Sequence, residues 1–197
     1  MNVGWNIETL LSVGALAASI AGCIFILSKN WKQYGTLFLL SGIVGVALCY
    51  LFIYLDLYSF PYRLFPSVST IPFTLILTVF PFYVLAGVRY SPVSWGWKIP
   101  FYWVLVHIGV LAESIIEKYT QIIKYNTHWG IWDSYVWWWL FLLVFEWVGG
   151  LLVRPEFRKP LDPAHLRYGT VGWFMTHFIL IVSIFLAGIV AGKTLFH

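Results

Sequence analysis

Residues 99–129 read IPFYWVLVHIGVLAESIIEKYTQIIKYNTHW. The first part is an apolar run broken only by His107. The second carries Glu113, Glu117, Lys118 and Lys124 where such a run would end. About 20 apolar residues cross the hydrocarbon core of a bilayer as a helix. At helical period, positions 112, 115, 116, 119, 122 and 123 make an apolar stripe, and Glu113, Glu117, Gln121 and Lys124 share another face. The stretch predicts a membrane span over 99–117 that continues as an amphipathic exit toward residue 125 and ends in a tryptophan belt.

The rest of the chain has the same character. Of its 197 residues, 60% are apolar and 10% charged, and the mean hydropathy is +0.82. Soluble domains carry about 25% charged residues. A domain of this size buries only part of its surface, so the apolar excess has to face lipid. Aromatic residues reach 20%, with 12 Trp, as interfacial belts require. The net charge of +4 is scattered between apolar runs, which excludes nucleic acid as a partner. Cys23 and Cys49 lie inside apolar runs and predict no disulfide framework. No basic segment precedes the first run, so it reads as a retained span and not as a cleaved signal peptide.

Six spans are expected, at about 8–27, 35–54, 71–89, 99–117, 133–153 and 170–192. Short connections make 1–197 a single domain: an all-α bundle of six transmembrane helices in the cell membrane. The third span is the weakest, because Pro72 and Pro81 interrupt it, though neighbours in a bundle can satisfy the freed carbonyls. One set of connections carries Lys29, Lys32, Arg89, Lys98, Arg154, Arg158, Lys159 and Arg167. The other side carries Arg63, Lys118, Lys124 and Lys193. The positive-inside rule then puts both termini on the outer face. Gly14, Ala18 and Gly22, and Gly188 with Gly192, have the spacing of close helix contacts, either within the bundle or at a homodimer seam.

Ionisable residues inside a span are costly and by default imply function. His107 lies about 12 Å in from Ile99, while Glu146 and His177 lie about 10 Å in from Val153 and Thr170. All three are expected at one inner level on consecutive antiparallel helices. They read as a proton relay or cation path, as a weak Zn or Fe site, as a weaker haem site through the two histidines, or as hydrogen bonds that lock helices together. The sequence requires no cofactor. The loop RPEFRKPLDPAHLRYG (154–169) places Arg154, Arg158, Lys159 and Arg167 on the inner face. They serve as topology signal with attraction to anionic lipid, or form a head-group or phosphate site. No Gly-rich phosphate loop accompanies them.

On the other face, NTHWGIWDSYVWWWL (126–140) reads as an aromatic belt or as rings for stacking a ligand, with Asp133 as N-cap of the fifth helix. Glu113 and Glu117 are one turn apart. Two ionised carboxylates there would repel, so a proton, a cation or a basic residue is expected between them.

The spaced residues Glu113, Glu117, Thr120, Ile123, Tyr125, Trp129 and Trp132 resemble a pattern in a family of small uncharacterised polytopic membrane proteins of spore-forming Gram-positive bacteria. PFTLILTVFPFYVL (72–85) and FPYRLFP (60–66) are similar to it as well. The resemblance covers roughly residues 55–145 and omits the sixth span and the basic loop. It implies a cytoplasmic or forespore membrane and a sporulation role, and carries no activity.

Three function classes follow. The first is the handling of protons, ions or a small solute through Glu113, Glu117, His107, Glu146 and His177, that is, transport. The second is a non-catalytic subunit or scaffold with a membrane-protein partner. The third is a membrane-embedded enzyme acting on lipid near the inner leaflet. No reaction can be read from the sequence, and the balance is against an enzyme.

Overall fold

The computed structural model describes residues 4–195. Six helices are long and apolar enough to cross a membrane: α1 (Ile7–Leu27), α2 (Trp31–Tyr54), α3 (Phe73–Tyr90), α4 (Trp95–Tyr119), α5 (Ile131–Leu152) and α7 (Thr170–Leu195, apolar through Gly192). A 3-10 turn at Pro155–Phe157 and the short α6 (Pro163–Tyr168) fill the connection between α5 and α7. The strands β1 (Tyr58–Ser59) and β2 (Lys124–Tyr125) pair antiparallel between two loops.

The outward surface is apolar: Ile20, Ile24, Leu39, Ile43, Leu140, Val144, Ile181 and Ile184 are all exposed. Patches of that extent do not persist in water, and lipid is their solvent. The chain is a multi-pass α-helical membrane protein.

Within the bundle, α3 is central. It packs against α1, α2 and α5, while α4 packs against α5 and α7. Gly22 admits the Phe82 ring where a Cβ would lie only 2.2 Å from it, so the small residue brings α1 onto α3. By contrast, a Cβ at Gly14, Gly188 or Gly192 would meet nothing within 4 Å. Pro81 sits within α3 without ending it.

Two faces result. On one, the loops 55–72 and 120–130 clasp each other. β1 and β2 pair, Tyr62 N–H donates to the Gln121 carbonyl, and Asn126 Nδ2 donates to Asp56 Oδ1 at 2.7 Å. Asp56 takes φ 54°, a left-handed turn that Asp tolerates better than most residues. On the opposite, basic face, the loop after α5 is strapped down. The Phe157 carbonyl accepts from Tyr34 Oη at 3.0 Å and Arg89 Nη1 at 2.9 Å, and Lys159 N–H donates to the Arg89 carbonyl at 2.8 Å.

The amphipathic exit expected through residue 125 does not form. α4 starts at Trp95 and stops at Tyr119. Thr120 turns extended (φ −133°), its hydroxyl donates to the Ile116 carbonyl, and its oxygen accepts Ile122 N–H. Such local side-chain bonds compete with helix continuation. The apolar stripe is used differently: Ile122 packs with Tyr62 and Leu64, and Ile123 with Phe52, Tyr58 and Phe60. α5 likewise begins two residues before the expected span. Its N-cap is Gly130, and Asp133 stands in the first turn, where Oδ2 accepts Gly130 N–H at 2.8 Å.

Candidate functional site

Glu113 lies in the last two turns of α4, where the clasp folds over it. Its Oε1 accepts from Tyr125 Oη at 2.7 Å and Ser134 Oγ at 2.8 Å, and its Oε2 accepts from Trp138 Nε1 at 2.9 Å. Trp129 Nε1 donates to Ser134 Oγ at 2.8 Å, which frees the single Ser134 hydrogen for the carboxylate. Burial and the charge of Glu113 push the Tyr125 phenol far above its ordinary range, so it remains a donor. Gly109, one turn before Glu113, makes room for the Trp138 indole, which would lie 2.9 Å from a Cβ there. That indole also stacks on Phe80. Two turns of α5 and a loop thus converge on one carboxylate, and every donor they supply is neutral. Among the described residues no ion pair reaches Glu113.

The carboxylate stands on the wall of a cavity of about 410 Å³. Its other walls are mostly hydrocarbon and aromatic, from Phe52 of α2, Phe80 and Tyr83 of α3, and Trp129, Trp137 and Trp138. The tryptophans expected as a belt are therefore split: Trp132 is exposed, Trp129 and Trp138 are half-buried on the cavity wall, and Trp137 lines the cavity while still exposed on its outer side.

Glu117 does not share this cavity. It lines a second recess with Asn126, Gly130 and Trp132 beside α7, and its backbone carbonyl accepts the Lys124 ammonium. Tyr125 stands between the two glutamates, bonded to Glu113 and lining the Glu117 recess. It holds part of the place expected for a basic residue.

Glu146 is built in the opposite way. It is buried on α5, where Oε1 pairs with the Lys98 ammonium and with Arg158 Nη1 at 3.5 Å, and Oε2 accepts from Tyr102 Oη at 2.6 Å. Lys98 and Tyr102 are one turn apart on α4, and Arg158 reaches back from the strapped loop. The site closes that end of the bundle.

The inner trio does not come together. His107 is buried, and its Nδ1–H donates to the Trp103 carbonyl at 3.0 Å. Its Nε2 meets Ser183 Oγ of α7 at 2.9 Å, so it links α4 to α7. His177 lies exposed on α7, stacked on Trp173, with Nδ1 bonded to the Trp173 carbonyl. No hydrogen bond joins any two of His107, Glu146 and His177 among the described residues. None of the His, Cys, Asp and Glu side chains among them gather in threes where a metal could bind. The three are not joined into a shared hydrogen-bonded centre: similar depth along three helices does not give a common facing direction.

The basic-loop set is split. Arg158 turns inward to Glu146, whereas Arg154 pairs with Glu156 at the surface and Lys159 is exposed. The Arg167 side chain lies outside the described residues. Of the three that are described, Arg158 is engaged by Glu146 and only Arg154 and Lys159 are exposed.

Sequence reasoning named both carboxylates and missed their partners. The Lys98/Tyr102 spacing was a usable signal for Glu146. Nothing in the sequence linked Glu113 to Ser134 and Trp138 on another helix.

The fold and site define a multi-pass membrane bundle with one uncompensated carboxylate on an apolar cavity. No family model, no curated protein and no solved structure matches the chain.

Proposed function

We propose that the protein handles a cationic species, a proton, an ion or a small solute, at Glu113 within the membrane. The observation that carries this reading is the Glu113 carboxylate, set among three neutral donors and, among the described residues, no cation, on the wall of an apolar cavity. A carboxylate away from water is costly unless a positive partner or a proton joins it. Among the described residues, such partners reach Glu146 and none reaches Glu113. Glu117 lies one turn nearer the end of α4, in the neighbouring recess.

The excess of Lys and Arg on the basic face supports an orientation with that face inside the cell membrane and both termini outside. Glu113 then opens toward the outer half of the bilayer.

Proteoliposomes test the reading. Flux of protons, alkali ions and small organic cations is measured for the native protein, for Glu113→Gln and for His177→Leu. The expected result is flux of at least one of these species that falls about tenfold or more in Glu113→Gln and is kept in His177→Leu. Flux unchanged by Glu113→Gln, or none above empty vesicles, would overturn the proposal.

A further inference from the structure

We infer that the occupant of the Glu113 cavity is a lipophilic organic monocation that enters sideways from the lipid between α1 and α4. This rests on reading Glu113 as the cation-binding group and names the class of cation.

The size fits first. About 410 Å³ lies within the range of about 300–1,000 Å³ in which pockets enclose small organic molecules. It is far larger than an alkali ion requires.

The wall chemistry then selects among cations. A metal or alkali ion must exchange its hydration shell for several oxygen ligands. Here the one carboxylate has about four lone-pair directions, and three are taken by Tyr125, Ser134 and Trp138. Ser19 Oγ, also on the wall, is turned to the Leu16 carbonyl. One acceptor direction of the carboxylate remains, and the other oxygens on the wall are single hydroxyls such as those of Tyr58 and Tyr83. That suits a single ammonium N–H or a diffuse onium charge and cannot replace a hydration shell. Phe52, Trp137 and Phe141 on the wall supply aromatic and hydrocarbon surface for the remainder of such a ligand.

The way in is lateral. Ala15 and Ala18 of α1 and Ala112 of α4 line the cavity and are themselves exposed. A molecule already dissolved in the lipid reaches Glu113 without crossing the clasp of β1 and β2. A doubly charged or strongly hydrated solute would not partition there.

The test is equilibrium binding of radiolabelled tetraphenylphosphonium to the purified full chain in nanodiscs, with neutral tetraphenylmethane and sodium as competitors. The native protein, Glu113→Gln and Ala112→Phe are compared. Ala112→Phe fills the rim without touching the Glu113 hydrogen bonds, so it stays informative if Glu113→Gln folds poorly. The expected result is saturable binding in the native protein, weakened about tenfold or more by Glu113→Gln, lost in Ala112→Phe, and displaced by neither tetraphenylmethane nor sodium. Displacement by sodium, or flux of small cations that depends on Glu113 without phosphonium binding, would overturn the lipophilic class and leave the cation-handling reading standing. Binding that Glu113→Gln leaves unchanged, or that tetraphenylmethane displaces, would overturn both.

Discussion

Glu113 and Glu146 are both carboxylates inside a membrane bundle, and the chain treats them differently. Glu146 faces two cations and a phenol, with no cavity beside it among those described. Glu113 faces a phenol, a hydroxyl and an indole, with a cavity in front of it. The intramembrane cost that makes any such residue conspicuous is met by cations at one end and, among the described residues, by neutral donors alone at the other. An intramembrane acid is therefore informative only once its partners are known.

The largest expected effect lies at the compensated end. Glu146→Leu strands Lys98 and Arg158, which are nearly buried at 13% and 14% side-chain exposure. Breaking a buried pair this way costs about 3–5 kcal/mol, read as a large drop in unfolding temperature in detergent. The double variant Glu146→Leu/Lys98→Met recovers part of it. Equal stability of Glu146→Leu and the native protein would erase the distinction from Glu113.

At the other end the expected loss is smaller. Glu113→Gln keeps the side-chain shape, but its amide N–H₂ opposes the Trp138 indole N–H, a mismatch of about 1–3 kcal/mol. The comparison is sharpened by adding ligand: the variant should be less stable than the native protein by this amount and no longer stabilised by a lipophilic cation. A loss as large as that of Glu146→Leu would make Glu113 a structural lock as well.

The two histidines give the smallest pair of effects. Ser183→Ala removes the bond between α7 and His107 and should cost about 1 kcal/mol. His177→Leu changes a lipid-facing side chain and should stay within about 0.5 kcal/mol. Unfolding temperatures of the two variants rank them, and a larger loss at His177 would contradict its outward placement.

Much of this was legible in the sequence. The hydropathy pattern fixed the number of spans to within a few residues at each end, because lipid solvation depends on run length alone. The stop of α4 was not legible: the 111–125 stripe fits a helix, and only the Thr120 hydroxyl bonds and the partner strand at Tyr58–Ser59 show why it ends. The site was half legible. Residue type marked Glu113 and Glu146 as unusual, but depth along a helix carries no facing direction, so it could not tell whether His107, Glu146 and His177 meet. Whether a carboxylate is compensated depends on side chains as remote as Lys98 from Glu146, or Trp138 from Glu113, and periodicity does not report on them.

The most direct measurement is the rise in unfolding temperature on adding tetraphenylphosphonium to the native protein, Glu113→Gln and Glu146→Gln in parallel, since a ligand that binds only the folded state stabilises it. The account predicts a rise in the native protein, a rise of similar size in Glu146→Gln from its lower starting point, and none in Glu113→Gln. A rise that survives in Glu113→Gln, or that disappears only in Glu146→Gln, would contradict it.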